Sequence, residues 1–351
     1  MSTDGLPLDA ADVYEAQHRL RNVCITTPVL SHPALDEVAG RPVVVKVEAL
    51  QRTGAFKFRG AYNALAALDA GTRQRGVVGA SSGNHAQALA LAGQLLGVPV
   101  TVVVPHDAPR GKTTSAQALG ARLVTYHRTR DDRDALTAGL AAEHGYTVVP
   151  SANSPQVMAG AGTVALELLH QAPELTAILV PVGGGGLAAG TTVAAKHLNP
   201  RIRVIGVEPD TAADMAASLR SGTLAELPGV PDTIADGLRH TRPAPLPWEI
   251  NRVMLDDVMT VTDDQIVEAM ALAFEHLKVV AEPSGAVALA AVEHLDLPPG
   301  PVGVVISGGG VGIGSFHRFM TGPVEGASSP CLSTTPAVTP FPSSRSTPHP
   351  N

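Results

Sequence analysis

One lysine lies between two aromatic residues in a segment that could carry covalent chemistry. The segment spans residues 53–60, in which Phe56 and Phe58 flank Lys57. Burial beside apolar side chains disfavours the charged ammonium, so it favours the neutral amine that can attack a carbonyl. The competing interpretation is a surface lysine whose stem packs on the two rings. The other motifs of the chain decide between these two interpretations.

A run of four glycines provides the second chemical feature. It follows a short apolar segment and precedes an alanine-rich one, and it consists of Gly183, Gly184, Gly185 and Gly186. Backbone N–H groups without side chains, at the start of a helix, form a typical phosphate-binding loop. The alternative is a tight turn between a strand and a helix, which needs fewer glycines.

A nicotinamide-dependent oxidoreductase is a rival interpretation of the same loop. Gly183, Gly185 and the small Ala188 also fit a degenerate dinucleotide fingerprint. Glu208 lies about 20 residues further on, at the end of the next predicted strand, where an acid would bind the ribose. This interpretation leaves Lys57 without a role.

Two further loops place polar residues after predicted strands. One contains Ser81, Ser82, Asn84 and His85, and the other contains Ser307 followed by three glycines. An ordinary helix cap would explain one such polar residue but not four. Because ligands bind at the carboxyl ends of strands in open α/β sheets, we expect these loops to meet Lys57 in one cleft. A lysine beside a phosphate loop favours pyridoxal phosphate, whose aldehyde bonds to an amine.

The elements that must position these residues alternate along the chain. Short apolar strands are separated by helical segments, which predicts right-handed crossovers and parallel sheets. We therefore predict an α/β fold of two doubly wound open-sheet lobes with a cleft between them. The predicted strands are 42–48, 77–80, 100–104, 122–126, 146–149, 177–182, 202–208 and 302–306. The predicted helices are 10–21, 84–96, 111–119, 133–144, 161–170, 187–198, 262–277 and 286–294.

The same pattern suggests a domain organisation. Residues 1–67 and 154–321 form a large, discontinuous cofactor-binding domain, and residues 68–153 form a small domain. From residue 322 to 351 the chain is rich in Ser, Thr and Pro, and we expect this tail to be disordered.

Composition excludes several classes of protein. The 351 residues are 44% hydrophobic and 16% charged, which is typical of a globular protein. A net charge of −7 without a basic block argues against nucleic-acid or anionic-membrane partners. Two cysteines are too few for a disulfide framework, and neither a signal peptide nor a membrane span is indicated. We expect a cytoplasmic protein.

Together these motifs resemble the serine/threonine dehydratase and serine racemase family of pyridoxal-phosphate enzymes. The similarity extends over about residues 10–320 and is most specific at residues 53–60, 81–85, 183–186 and 307–309. The resemblance implies the tryptophan synthase β-like fold, called fold type II. It also implies a small amino acid as substrate and a homodimer or higher homo-oligomer.

The family resemblance also implies cofactor contacts. Lys57 would bond to the aldehyde, and Phe56 would stack near the ring. Asn84 would contact the ring hydroxyl, and Ser307 the pyridine nitrogen. The phosphate would bind the four glycines, Gly183 to Gly186.

The implied reaction is the dehydration of L-threonine or L-serine to 2-oxobutanoate or pyruvate and ammonia. Lys57, once displaced from the cofactor, would act as the base at Cα. A hydroxyl such as that of Ser307 cannot keep the ring nitrogen protonated as a carboxylate would. The charge at Cα is then less stabilised, so prompt loss of the β-hydroxyl is favoured.

Other residues bear on specificity. Ser82 corresponds to the serine that faces Cα opposite the lysine in racemases, so serine racemisation is an alternative activity. Ser81, His85 and Arg133 are further candidates for substrate contact. His240 stands where some racemases have a serine, and an imidazole there could suit a more acidic substrate such as 3-hydroxyaspartate.

A metal site is also implied by the resemblance. Glu208, Asp214 and the carbonyl of Ala212 correspond to the family's divalent-cation ligands. Oxygen ligands suit Mg²⁺, with Ca²⁺ or Mn²⁺ as alternatives. A solvated acidic turn that caps the following helix is the competing interpretation.

Overall fold

A computed structural model describes residues 5–81, 83–108 and 110–322 of the chain. In this part of the chain, ten strands form two sheets. The predicted tail, apart from Gly322, lies outside the described residues. No helix within them is long and apolar enough to cross a bilayer.

The larger sheet has six strands in the order β1-β2-β10-β7-β8-β9. Only its edge strand β1 is antiparallel to its neighbour. The strands are β1 (Val29–Leu30), β2 (Val43–Val47), β7 (Ala177–Pro181), β8 (Arg203–Pro209), β9 (Asp257–Val261) and β10 (Val302–Ile306).

Helices cover both faces of the larger sheet, as expected for strands that are continuous apolar runs. Alternate residues of β7 contribute to two cores: Ile178 and Val180 pack on one face, and Ala177 and Leu179 on the other. The first face carries α1 (Ala10–Leu20), α8 (Pro155–Gln171), α9 (Gly186–Leu198) and α11 (Pro245–Met254). The second carries α2 (Pro33–Ala39), α12 (Asp263–Leu272), α13 (Pro283–Ala290) and α14 (Ile313–Thr321). A short helix, α10 (Asp214–Ser221), follows β8.

The smaller sheet has four parallel strands in the order β5-β4-β3-β6. These are β3 (Val77–Ala80), β4 (Val100–Pro105), β5 (Arg122–Tyr126) and β6 (Thr147–Val148). Its helices are α4 (Ala70–Arg75), α5 (Asn84–Leu96), α6 (Arg110–Ala118) and α7 (Arg133–His144). One more helix, α3 (Lys57–Ala66), packs on both α5 and α8 and so connects the two lobes.

The predicted α/β class with two doubly wound lobes is therefore confirmed. All strands of the larger sheet fall within residues 1–67 and 154–321, and those of the smaller sheet fall within residues 68–153. The domain boundaries themselves stay a prediction.

Several element boundaries differ from the sequence-based ones for local reasons. The predicted helix 161–170 begins earlier, because Ser154 caps it and Pro155 takes the first turn. The predicted helix 262–277 consists of α12 and a π-helical turn, Ala273–Leu277, which ends at Lys278 in the left-handed conformation. The elements β9 and α11 were not predicted.

Candidate active site

The lysine segment, residues 53–60, follows β2, and its Lys57 is the first residue of α3. The Lys57 Nζ atom donates a hydrogen bond of 3.0 Å to the carbonyl of Ser151, which lies after β6 in the smaller lobe. Burial lowers the pKa of this amine to about 8, although the Glu282 carboxylate acts in the opposite direction. A substantial share of the amine is therefore neutral near physiological pH.

The two aromatic neighbours of Lys57 have different surroundings. The Nζ atom lies 4.8 Å from the centroid of the Phe56 ring. Phe58 is fully buried in the core of the smaller lobe, with its ring centroid 5.7 Å from that of Tyr62. Phe56 thus borders the amine, whereas Phe58 anchors α3.

The loop after β10 is joined directly to the lysine segment. The Phe56 N–H donates to the Ser307 carbonyl at 3.0 Å, and the Gly309 N–H donates to the Gly54 carbonyl at 2.8 Å. Because β2 and β10 are parallel neighbours, their carboxyl ends meet at the same sheet edge. Ser307 and Lys57 are thereby held in one site.

The four-glycine loop follows β7, the other neighbour of β10, and leads into α9. The first N–H groups of α9 have no acceptor within the helix, so they are available to an anion. A Cβ on Gly183 would lie 2.9 Å from Cδ2 of His240, and one on Gly185 would lie 2.8 Å from Nδ2 of Asn251. Gly185 also has a φ of 85°, which favours glycine.

The loop after β3 brings in residues from the smaller lobe. Ser81 Oγ accepts a hydrogen bond from the Gly83 N–H at 3.1 Å. Asn84, the first residue of α5, donates through Nδ2 to Oε1 of Glu282. Ser82, the predicted second catalytic group, lies outside the described residues.

His85 is the second residue of α5, directly after this loop. Its imidazole is buried, and Nε2 is 2.9 Å from the Val149 carbonyl. Burial, assisted by the charge of Lys57, lowers the pKa of His85 to about 4, so the ring is neutral. Its role in substrate binding stays a prediction.

His240 and Arg133 are the two predicted substrate contacts that remain. His240 is packed against Gly183 and Gly184, and burial and the charges of Lys57 and Arg133 lower its pKa to about 4. Arg133 begins α7 and is half-exposed, with Nε 2.8 Å from Oδ1 of Asp134. A neutral imidazole therefore borders the glycine loop, and the charge of Arg133 is near enough to act on it.

The predicted metal ligands lie after β8, at the start of α10. Both Glu208 oxygens accept backbone N–H bonds of 2.9 Å, from Met215 and Ala216. Neither oxygen of Asp214 has a hydrogen-bond partner among the described residues, although Asp214 is fully buried. Burial raises the pKa of Asp214 to about 7, and burial together with Asp214 raises that of Glu208 to about 8.

These carboxylates fit a hard divalent cation. Two buried acids whose pKa values are raised would be stabilised by Mg²⁺, and the carbonyl of Ala212 in the short helix Asp210–Ala212 would add a third oxygen. No cluster of three or more His, Cys, Asp or Glu occurs among the described residues, so a cation here would need the Ala212 carbonyl in addition to the two carboxylates. The Glu208 carboxylate is bound to the N-terminus of α10, so the ribose-binding role has no support here.

Comparison with known proteins identifies the family. Residues 20–308 match the family described as pyridoxal-phosphate dependent enzymes. The chain belongs to this family. The nicotinamide alternative is therefore wrong.

Relatives of this pyridoxal-phosphate enzyme have several names. An L-threo-3-hydroxyaspartate ammonia-lyase from Saccharomyces cerevisiae is 40% identical over 90% of this chain and 97% of its own length. An L-threonine ammonia-lyase from Thermotoga maritima is 41% identical over 88% of this chain and 77% of its own length. The structure of maize serine racemase superposes with a TM-score of 0.86 at 39% identity, covering 90% of this chain and 97% of that one. Fold type II is thus confirmed.

The residues of the cleft fit the family's cofactor. The glycine loop leaves room only for backbone at the N-terminus of α9, which suits a phosphate. The Oδ1 atom of Asn84 is buried and has no hydrogen-bond partner among the described residues, so it can accept one from a bound group. The roles of Lys57 at the aldehyde, Ser307 at the ring nitrogen and Phe56 at the ring face stay predictions.

Two charged groups near the site were not predicted from sequence. Glu282 precedes α13 and contacts Asn84. Arg59 is buried beside Lys57 in an ion cluster with Glu48 and Glu167. An acid directly before Pro283, at the start of a helix, was the available signal for Glu282.

Proposed function

We propose that the protein is a pyridoxal-phosphate-dependent ammonia-lyase that converts L-threonine and L-serine to 2-oxobutanoate and pyruvate with release of ammonia. The observation that carries the proposal is the partly buried Lys57 amine, whose pKa is lowered to about 8, beside the hydroxyl-bearing Ser307 loop. A base with a pKa near the working pH is efficient in proton transfer.

Each residue has a defined task in this proposal. Lys57 would hold the cofactor and would move the proton at Cα. The N–H groups of the four glycines would bind the phosphate, and Asn84 and Ser307 would orient the ring. When bound, pyridoxal phosphate supplies a ring that accepts the electron pair left at Cα. Because Ser307 is neutral, elimination of the β-hydroxyl is favoured over longer-lived charge on the ring.

A substrate panel tests the proposal. Purified protein with bound cofactor is given L-threonine, L-serine, D-serine and L-threo-3-hydroxyaspartate, and ammonia, oxo acid and enantiomers are measured. We expect ammonia and oxo acid in equal amounts, with the highest kcat/KM for L-threonine or L-serine. Lys57→Ala is the control, with no turnover expected. Absence of ammonia from every substrate, despite bound cofactor, would contradict the proposal.

Elimination from 3-hydroxyaspartate is the second candidate, and the pair of His240 and Arg133 favours it. An imidazole donor and a guanidinium charge would suit a second carboxylate on the substrate, and the Saccharomyces cerevisiae relative bears that name. His240→Ser tests this candidate. If the imidazole binds that carboxylate, kcat/KM for 3-hydroxyaspartate falls about tenfold relative to L-serine. An unchanged ratio of the two kcat/KM values would reject this second candidate.

Serine racemisation requires an acid/base group on the face of Cα opposite Lys57. Ser82 is the predicted group. Ser82→Ala should abolish any racemisation and leave elimination from L-serine in place, and racemisation that persists in this variant rejects that role.

A cation bound by Glu208, Ala212 and Asp214 completes the proposal. The homodimeric state and cytoplasmic location stay predictions.

A further inference from the structure

A buried carboxylate borders the cofactor site without a role in the mechanism above. Glu282 is only 3% exposed, and its backbone N–H donates to the Gly308 carbonyl at 3.1 Å. Its side chain lies over the loop after Ser307, because a Cβ on Gly308 would collide with Oε1 and one on Gly310 would lie 3.2 Å from Oε2. The glycines of that loop leave space for this carboxylate.

The same carboxylate connects the two lobes. Glu282 precedes α13, which packs on the larger sheet, whereas Asn84 begins α5 beside the smaller sheet. The Asn84 amide donates one N–H to Oε1 of Glu282. An amide has a second N–H and an oxygen, so this bond fixes the plane of the Asn84 amide, whose buried Oδ1 has no hydrogen-bond partner among the described residues.

The charges around Lys57 give Glu282 a second effect. The imidazoles of His85 and His240 have pKa values lowered to about 4 and are neutral near pH 7. Arg133, at the mouth of the cleft, is half-exposed and paired with Asp134. Glu282 is a negative group close to the lysine segment, because its Oε1 borders Gly308, which pairs with Ala55. Its charge favours the protonated form of the Lys57 amine.

We propose that Glu282 is a positioning residue of the cofactor site, which orients the Asn84 amide toward the ring hydroxyl and stabilises positive charge on the Lys57 nitrogen. The inference rests on the proposed function, because it takes the ligand at Asn84 to be pyridoxal phosphate. The Glu282 charge acts on Lys57 both before and after the cofactor binds. Its effect can therefore be measured in the cofactor-free and in the cofactor-loaded protein.

The first test removes the negative charge of the Glu282 side chain and preserves its shape. Glu282→Gln is compared with wild type and with Glu268→Gln, which makes the same change at an exposed position of α12. In cofactor-free protein, the modification rate of Lys57 by trinitrobenzenesulfonate is followed against pH by peptide mass spectrometry. Loss of the negative charge lowers the pKa of Lys57, so we expect the midpoint of Glu282→Gln to fall by about one pH unit. Glu268→Gln keeps the wild-type midpoint.

A second measurement uses the cofactor-loaded proteins. The pH at which the visible absorbance of the bound cofactor changes is expected to fall in Glu282→Gln and not in Glu268→Gln, and Glu282→Gln is expected to bind the cofactor more weakly. Equal midpoints in all three proteins would overturn the inference. If wild type binds no pyridoxal phosphate, the proposed function fails while the titration of Lys57 still tests the charge effect.

A reciprocal variant covers the case in which Glu282→Gln does not fold. Lys57→Met removes the cation and preserves the apolar stem. The Glu282 carboxyl should then take up its proton at a higher pH than in wild type, which carbon-13 NMR of labelled glutamate carboxyls detects. A spectrum in which no glutamate titration moves between the two proteins would contradict the inference.

Discussion

At the scale of single residues, the site depends on buried charges that come from distant parts of the chain. Arg59 donates to Glu48 at 2.8 Å and to Glu167 at 2.7 Å, and Lys46 donates to Glu167 at 2.8 Å. The charges of two bases and two acids thereby compensate each other next to the first turn of α3, which begins at Lys57. The cluster fastens α3 to β2 and α8, which sets the position of the reactive amine.

Removal of Arg59 should therefore be costly. Arg59→Met leaves the buried Glu48 carboxylate without its cation and leaves Glu167 paired with Lys46 alone, and we expect the free energy of unfolding to fall by about 3–5 kcal/mol. The control is Arg252→Met, which breaks an exposed ion pair with Glu249 and should cost less than about 1 kcal/mol. Urea unfolding measures both. Similar losses in the two variants would show that the cluster does not hold the site together.

Such pairs explain which residues the sequence could not reveal. Lys57 and the four glycines form local motifs, so their chemistry follows from neighbouring residues. Glu282 and Asn84 are 198 positions apart, and Arg59 and Glu167 are 108 apart. The Arg59–Glu167 contact arises only when α3 packs on α8, and the Glu282–Asn84 contact only when the two lobes pack together.

At the scale of elements, four neighbouring strands deliver the site. The lysine segment, the Ser307 loop, the glycine loop and the metal loop follow β2, β10, β7 and β8, which are consecutive in the larger sheet. The alternation of short apolar segments with helical segments predicted these strands. It did not predict β9, which lies at the sheet edge and is only partly buried, nor α11, whose first turn contains Pro245 and Pro247.

The turn from β7 into α9 can be tested with one methyl group. Gly185→Ala adds a Cβ that would lie 2.8 Å from Nδ2 of Asn251 at a residue with a φ of 85°. We expect a loss of about 1–2 kcal/mol in stability and about tenfold weaker binding of pyridoxal phosphate, a change of ~1.4 kcal/mol.

Gly139→Ala is the matched control for Gly185→Ala. Gly139 lies inside α7 with nothing within 4 Å of an added Cβ, so the substitution should raise stability by about 0.5–1 kcal/mol. Thermal unfolding and equilibrium titration with the cofactor measure the two effects. Normal cofactor affinity in Gly185→Ala would contradict the phosphate-loop assignment.

At the scale of the whole molecule, two sheets present their carboxyl ends to a shared cleft. The smaller lobe contributes the loop around Ser81 and Asn84, and it also supplies the Ser151 carbonyl that binds the Lys57 amine. The larger lobe contributes the lysine, the glycine loop and Ser307. The architecture could be predicted because parallel βαβ units have few alternatives, whereas contacts across the cleft depend on how the lobes pack.

The proposed cation should affect the stability of the whole larger lobe, because β8 lies inside its sheet. Mg²⁺ at about 100 times its Kd should stabilise the protein by about 2.7 kcal/mol, and a chelator should remove this effect. Asp214→Asn should abolish the response to Mg²⁺. Asp210→Asn changes an exposed acid in the same loop and should retain it. An unfolding temperature that changes with neither Mg²⁺ nor chelator would reject the site.

The central claim is that the amine of Lys57 carries the cofactor. The most direct test is to reduce the yellow, cofactor-loaded protein with borohydride, digest it and locate the added mass by peptide mass spectrometry. We predict a pyridoxyl phosphate group on Lys57 alone, and no fixed label in Lys57→Ala. Label on another lysine, or none on Lys57 in a protein that is yellow before reduction, would contradict the account.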